Sequence, residues 1–284
     1  MIVVTGATGQ LGRLVIEALL KTVPANQLIA AVRSPDKAQD LAARGVTVRQ
    51  ADYTRPDTLD TAFAGATKIL LISSNELGSR ATQHQTVIDA AKRAGVKLLA
   101  YTSVLHADTS PLALAQEHVE TEQYLRACGL PVVVLRNGWY TENYLAALPA
   151  ALEHGVLLGS AGNGKIAAAA RADYAQAAAN VLAGGEHAGR IYELAGDTAF
   201  TLTQFAQAAS DKSGRPVHYK DLPQAEYQAA LQQAGFPQAF ASLLADSDAG
   251  AAKGALFDDG HTLSRLAARA TTPWETSLAH ALKK

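Results

Sequence analysis

Near the start of the chain, Thr5-Gly6-Ala7-Thr8-Gly9-Gln10-Leu11-Gly12 constrains the fold more than any other segment. It follows a short apolar run at 2–5 and opens an amphipathic stretch at 11–21, with glycines spaced G-x-x-G-x-x-G. In that setting Gly6 permits a tight turn, Gly9 lets backbone approach a diphosphate, and Gly12 lets helix and strand pack closely. The exposed N–H groups of the new helix, aided by its dipole, then hold the anion. A glycine triplet alone also fits an ordinary turn, so its context must decide.

That context is a continuing alternation. Apolar runs at 28–32, 46–49, 68–73, 97–102 and 132–136 read as buried parallel strands. Amphipathic stretches at 35–43, 57–64, 80–94 and 112–127 lie between them, with Gly45, Gly65, Gly95 and Gly129 placed to end them. The pattern predicts an α/β fold, a Rossmann doubly wound parallel sheet. After Arg136 the rhythm changes. Residues 137–164 read as an excursion, 166–170 as a strand, 172–182 as a helix and 190–194 as a further strand. An Ala-rich helical tail follows, broken by Pro216, Pro223, Pro237 and Pro273. The expected organisation is a nucleotide domain from 1–136 plus about 172–200. A smaller, mainly helical C-terminal lobe would take about 137–171 and 201–284.

Composition removes several function classes. The formal net charge is −1 and no basic run resembles a phosphate-backbone footprint, so nucleic acid is not expected as a partner. One cysteine, Cys128, rules out an intrachain disulfide and a Cys-cluster metal site, and no metal-ligand spacing occurs elsewhere. No stretch approaches the roughly 20 apolar residues that cross a bilayer, so no membrane partner is expected. The strand-like start leaves no room for a signal peptide, and a cytoplasmic monomer or homodimer is the expectation. There is no Gly-x-Ser-x-Gly elbow of a hydrolase.

Cofactor choice turns on the end of the second strand. Leu28-Ile29-Ala30-Ala31-Val32 ends in Arg33, where an NAD site usually carries an acid. A guanidinium there matches a 2′-phosphate and points to NADPH, although a solvated strand end would look the same. Asp52 can accept from an adenine amino group or serve as a turn residue. Ser73 and Ser74 end the fourth predicted strand and should line the cofactor crevice.

Together TGATGQLG, the Asp52 turn, Tyr101-Thr102-Ser103 and Leu135-Arg136-Asn137-Gly138 resemble the extended and atypical short-chain dehydrogenases. The segments 103–112 (SVLHADTSPL) and 136–144 (RNGWYTENY) resemble the NmrA-like branch, and within it the bacterial NADPH-dependent quinone reductases of the second type. Triphenylmethane reductases are similar and act on another acceptor. The likeness covers nearly the whole chain. It implies cofactor contacts at Gly6, Ala7, Thr8, Gly9, Gln10, Leu11 and Gly12, at Arg33, and at Ser73, Ser74 and Asn75. It implies further contacts at Asn137, Gly138, Trp139, Tyr140, Thr141, Glu142 and Asn143, with Ser103 matching the usual strand-end serine. A substrate pocket would lie above the nicotinamide, roofed by the C-terminal lobe.

The chain departs from that pattern at the proton relay. Typical members carry Tyr-x-x-x-Lys on the helix after the fifth strand, one turn placing both on one face. Here the lysine position falls on His118 and the tyrosine position on Leu114. Leucine cannot transfer a proton. Alcohol oxidation, ketone reduction and epimerisation handle a poorly acidic hydroxyl and benefit from a positioned acid or base. A quinone that takes hydride becomes a delocalised hydroquinone anion that solvent can protonate, so positioning in a dry pocket suffices. His118 is the candidate catalytic residue, against the reading of an ordinary helix histidine. Trp139, Tyr140, Asn143, Tyr144 and Phe257 are candidate substrate contacts, while the aromatics equally suit a seam between lobes. Lys165 and Arg171 read first as solvated charges. The expected function is NADPH-dependent reduction of small quinones. The alternatives are a non-catalytic NADP-sensing regulator and a reductase of another conjugated acceptor such as a triphenylmethane dye.

Overall fold

The computed structural model describes residues 1–283. The first half runs β1 (Ile2–Thr5), α1 (Gln10–Leu19), β2 (Leu28–Val32), α2 (Gln39–Ala43), β3 (Thr47–Gln50), α3 (Pro56–Phe63), β4 (Lys68–Leu71), α4 (Arg80–Arg93), β5 (Leu98–Val104), α5 (Ala115–Ala127) and β6 (Val132–Asn137). There follow α6 (Thr141–Leu145), α7 (Leu148–His154), β7 (Val156–Gly159), α8 (Arg171–Ala183), β8 (Ile191–Leu194), α9 (Leu202–Ser213) and β9 (His218–Asp221). The tail holds α10 (Gln224–Gln233), α11 (Gln238–Ala251), α12 (Thr262–Ala267) and α13 (Trp274–Ala281).

The main sheet is parallel throughout, in the order β3-β2-β1-β4-β5-β6-β8. The chain winds outward from β1 to β3, then returns to place β4 on the other side of β1. Ligands bind at such a reversal, outside the carboxyl ends of the strands. Every residue of β2 and β5 is buried, as strands covered on both faces require. One face carries α1 and α8, where Val15, Ile16 and Leu19 meet the alanines of α8. Helices α3, α4 and α5 cover the other around Phe63, Val87, Ile88 and Leu125. A second core gathers Tyr144, Phe200, Phe205 and Trp274, with Phe200 and Trp274 ring centroids 4.9 Å apart.

The doubly wound sheet is the predicted one; several details differ. Residues 166–170 form no strand but pair as isolated bridges, Ile166 with Phe200 and Ala169 with Tyr140. The excursion and tail, expected to be mainly helical, also contain a parallel pair, β7 with β9. Although α12 lies in the 201–284 range assigned to the smaller lobe, it packs on α8 and sends Leu263 into the first core. No helix among the described residues is long and apolar enough to cross a membrane.

Candidate functional site

The carboxyl ends of β1 to β4 frame a cleft of about 360 Å³. Of the predicted cofactor residues, Gly6, Thr8, Gly9, Gln10, Leu11, Gly12, Arg33, Asp52, Ser73, Ser74 and Asn75 line it. Ala7 is fully buried beneath the turn. Gly6 takes φ +58°, a left-handed conformation that suits glycine. A Cβ on Gly12 would stand 2.3 Å from the Gly6 carbonyl oxygen, so only a hydrogen fits there.

Helix α1 begins without a side-chain cap and without an acid in its first turn. The N–H groups of Gln10, Leu11 and Gly12 therefore have no helical acceptor and sit at the positive end of the dipole. This end opens on the same cleft as Arg33, whose side chain is 72% exposed. Arg33 Nη1 lies 3.0 Å from Glu76 Oε1, across the cleft. Asp52 Oδ1 accepts from the backbone N–H and the hydroxyl of Thr54, which lowers its pKa. Its turn role is thus real, and it borders the cleft as well.

The segment leaving β4 is held by side chains from other elements. Ile72 N–H donates to Thr5 Oγ1, Ser73 N–H to Thr102 Oγ1 and Ser74 N–H to His84 Nε2, at 3.0, 2.9 and 2.9 Å. The carbonyl of Ser74 accepts from Arg80 Nε at 2.7 Å. His84 Nε2 must therefore carry a lone pair, leaving Nδ1–H for Thr121 Oγ1 at 3.0 Å. Burial and the Arg80 charge push the His84 pKa down to about 3.

His118 belongs to this layer and does not line the cleft. It is 5% exposed, with Nδ1 2.6 Å from the Tyr101 hydroxyl and Nε2 3.4 Å from Arg80 Nη1. Arginine only donates, so Nε2 accepts and Nδ1–H points at Tyr101. Burial first, then Arg80 and His84, hold its pKa well below the usual histidine value. The predicted proton donor at neutral pH is a neutral ring packed behind the wall.

Ser103 is likewise turned inward. Its hydroxyl donates to Glu122 Oε1 at 2.7 Å, and Glu122 accepts from Arg136 Nε and Nη2 at 2.9 and 2.7 Å. Asn137 is buried at the end of β6, while Gly138 lies tightly under Leu194 and Tyr174. Past them, Tyr140, Glu142 and Asn143 gather on Arg171: its guanidinium carbon sits 4.5 Å from the Tyr140 centroid and Nη2 donates to Asn143 Oδ1 at 2.9 Å. The Arg171 N–H donates to Glu142. Trp139 is half-buried, and its carbonyl accepts from the Tyr174 hydroxyl. The buried Thr141 hydroxyl has no partner among the described residues. Tyr144 lies in the second core, edge-on to Phe200, and its hydroxyl also lacks a partner there. Phe257 is half-buried under the Lys165 ammonium at 5.6 Å, and its carbonyl accepts from His106 Nε2. Lys165 and Arg171 are thus paired with aromatics rather than merely solvated.

Sequence reasoning missed Ala51, Tyr53, Thr54, Ile72, Glu76 and Gln83 in the cleft lining. The strand-end rule located the loops after β3 and β4 but not Gln83 on α4, and no motif marks the side chains that turn inward.

The NmrA-like family profile matches residues 1–268. The chain belongs to the NmrA-like family. This NmrA-like chain is 59% identical to Quinone oxidoreductase 2 of Escherichia coli (strain K12) over 280 residues, 99% of this chain and 98% of that one. The solved structure of the Escherichia coli quinone oxidoreductase complexed with NADPH superposes with a TM-score of 0.97, covering 99% of each chain. Triphenylmethane reductase from Citrobacter sp., complexed with NADP(H), is 38% identical with a TM-score of 0.95, covering 99% of this chain and 100% of that one.

Proposed function

We propose that this chain reduces small quinones with NADPH by direct hydride transfer, using neither a flavin nor a Tyr-x-x-x-Lys relay. The observation that carries the reading is the uncapped start of α1 opening on the same cleft as the exposed Arg33 side chain. Full-length likeness to the Escherichia coli quinone oxidoreductase supports the acceptor class.

The residues fit such a cofactor. The first N–H groups of α1 hold the diphosphate, Gly9 lets backbone come within contact distance, and Gly12 keeps the start of the helix packed against the turn. Arg33 reads the 2′-phosphate, with Asp52 toward the adenine and Ser73, Ser74 and Asn75 along the dinucleotide. Asn137 through Asn143 border the nicotinamide end, where Trp139, Tyr140, Asn143 and Phe257 shape the acceptor side, while Tyr144 packs behind them in the second core rather than facing an acceptor. NADPH, when bound, supplies the hydride. The chain positions a planar acceptor and excludes water, and the hydroquinone anion takes its proton from solvent. The protein acts as a cytoplasmic monomer or homodimer, with no nucleic-acid or membrane partner, built as a nucleotide domain (1–136 and about 172–200) and a smaller lobe.

NADPH oxidation with and without a simple benzoquinone, corrected for the uncatalysed rate, tests the reading. Tight NADPH binding with no enzyme-dependent rate would leave a nucleotide sensor in its place. Arg33→Ala is expected to weaken NADPH by about 10- to 100-fold, the worth of charge-assisted hydrogen bonds, and NADH by less than about twofold. Equal losses in a fluorescence titration would remove the 2′-phosphate assignment. His118 stays neutral above its lowered pKa, so His118→Gln should keep the wild-type pH profile of turnover between about pH 6 and 8. A lost or displaced limb in that profile would restore it as a proton donor.

A further inference from the structure

We propose that Glu76 is a specificity-determining residue whose carboxylate competes with the cofactor 2′-phosphate for Arg33, weakening NADP(H) selectively and speeding its exchange. The inference rests on Arg33 as the 2′-phosphate reader.

The sheet order supplies the geometry. Arg33 follows β2 and Glu76 lies in the loop after β4, while β1 runs between those strands. Their 3.0 Å ion pair therefore arches over the end of β1, where the glycine turn begins. The two partners are not equally free. Glu76 Oε2 accepts from Gln83 Nε2 at 2.7 Å, and its backbone N–H donates to Ser74 Oγ at 3.1 Å. Gln83 is itself buried on α4. One carboxylate oxygen is thus fixed from the α4 side and the other presented to the guanidinium. Arg33 is the more exposed partner, at 72% against 46% for Glu76.

Charge decides what happens when a phosphate arrives. Asp52, whose pKa is lowered mainly by its bonds from Thr54 and to a lesser degree by the Arg33 charge, lines the same cleft, so a second carboxylate lies within the field of the guanidinium. A phosphate matches the guanidinium fork as well as a carboxylate does and carries more charge. It must take donors from Glu76 or share them, and in either arrangement two anions stay close together. NADH offers a hydroxyl at that position and leaves the pair intact. The cost therefore falls on NADPH and NADP⁺ alike and spares NADH, so the oxidised product leaves faster than it would from an unopposed arginine.

The experiment compares the full-length wild type with Glu76→Gln and Arg33→Ala at low salt. NADPH and NADH affinities come from fluorescence titration, and NADP⁺ release from stopped-flow displacement. Glu76→Gln is expected to tighten NADPH by about three- to fivefold, to slow NADP⁺ release by a similar factor, and to change NADH by less than about twofold. Unchanged or weaker NADPH binding overturns the proposal, as does equal tightening of NADH. The arginine variant separates the two readings. If Arg33→Ala leaves the NADPH/NADH ratio untouched, the 2′-phosphate assignment fails. If it lowers the ratio while Glu76→Gln does not raise it, only the competition fails.

Discussion

A Glu122→Ala variant is expected to melt roughly 6–15 °C below the wild type, a loss of about 3–5 kcal/mol. Glu122 is 1% exposed and Arg136 3%, and they meet through two hydrogen bonds of 2.9 and 2.7 Å. Arg136 Nη1 also reaches Asp108 and Glu193, at 2.9 and 2.8 Å. Burial works against the cation, yet the bonds to Glu122 and Glu193 outweigh it and raise the Arg136 pKa above its ordinary value. Removing Glu122 leaves a buried guanidinium, which cannot give up its proton, short of its closest partner, and orphans the Ser103 hydroxyl. A second comparison separates this cause from simple loss of volume. Glu122→Leu combined with Arg136→Met removes both charges and should recover much of the loss, because apolar replacements avoid the desolvation cost. Thermal melts by circular dichroism decide it; a single variant within about 1 kcal/mol of the wild type would show that the pair carries little.

Gly12→Ala is expected to cost at least about 100-fold in NADPH affinity, together with about 1–3 kcal/mol of stability. The added methyl would lie 2.3 Å from the Gly6 carbonyl oxygen and 2.8 Å from the Ala7 Cα. Both are backbone atoms of the turn itself, so no rotamer change relieves the contact. The helix must move away from β1, and its first N–H groups move with it. Gly9 makes the contrast: its Cβ would stand 3.1 Å from the same oxygen, a contact the turn relieves with a small shift. Titration of Gly12→Ala within about fivefold of the wild type would show that the turn does not set the anion site.

The legible parts of this chain are those where a local pattern repeats the tertiary environment. Strands buried on both faces read as apolar runs, and β2 is found at the predicted residues because each of its side chains is covered. The turn before α1 was legible because backbone, not side chains, shapes it. Other parts depend on partners distant in sequence. The β7 and β9 strands are four residues each, and β9 is mostly exposed, so no apolar alternation marks them. Residues 166–170 carry a strand-like run of small apolar residues, yet their backbone is shared between the 140 and 200 regions in single bridges. His118 sits on the expected helix, but its neutrality comes from burial first and then from the charges of Arg80 and His84, which no spacing along α5 reports. Arg33 was visible as a strand end; its tether to Glu76 joins residues 43 positions apart.

The pinned segment after β4 has a consequence for the catalytic cycle. Its peptide groups are anchored from β1, β5 and α4 by the fold's own side chains, so the disorder that a free loop would surrender on meeting a ligand is relinquished once, during folding. On the proposed cofactor placement, that segment gives successive dinucleotides the same floor from one cycle to the next.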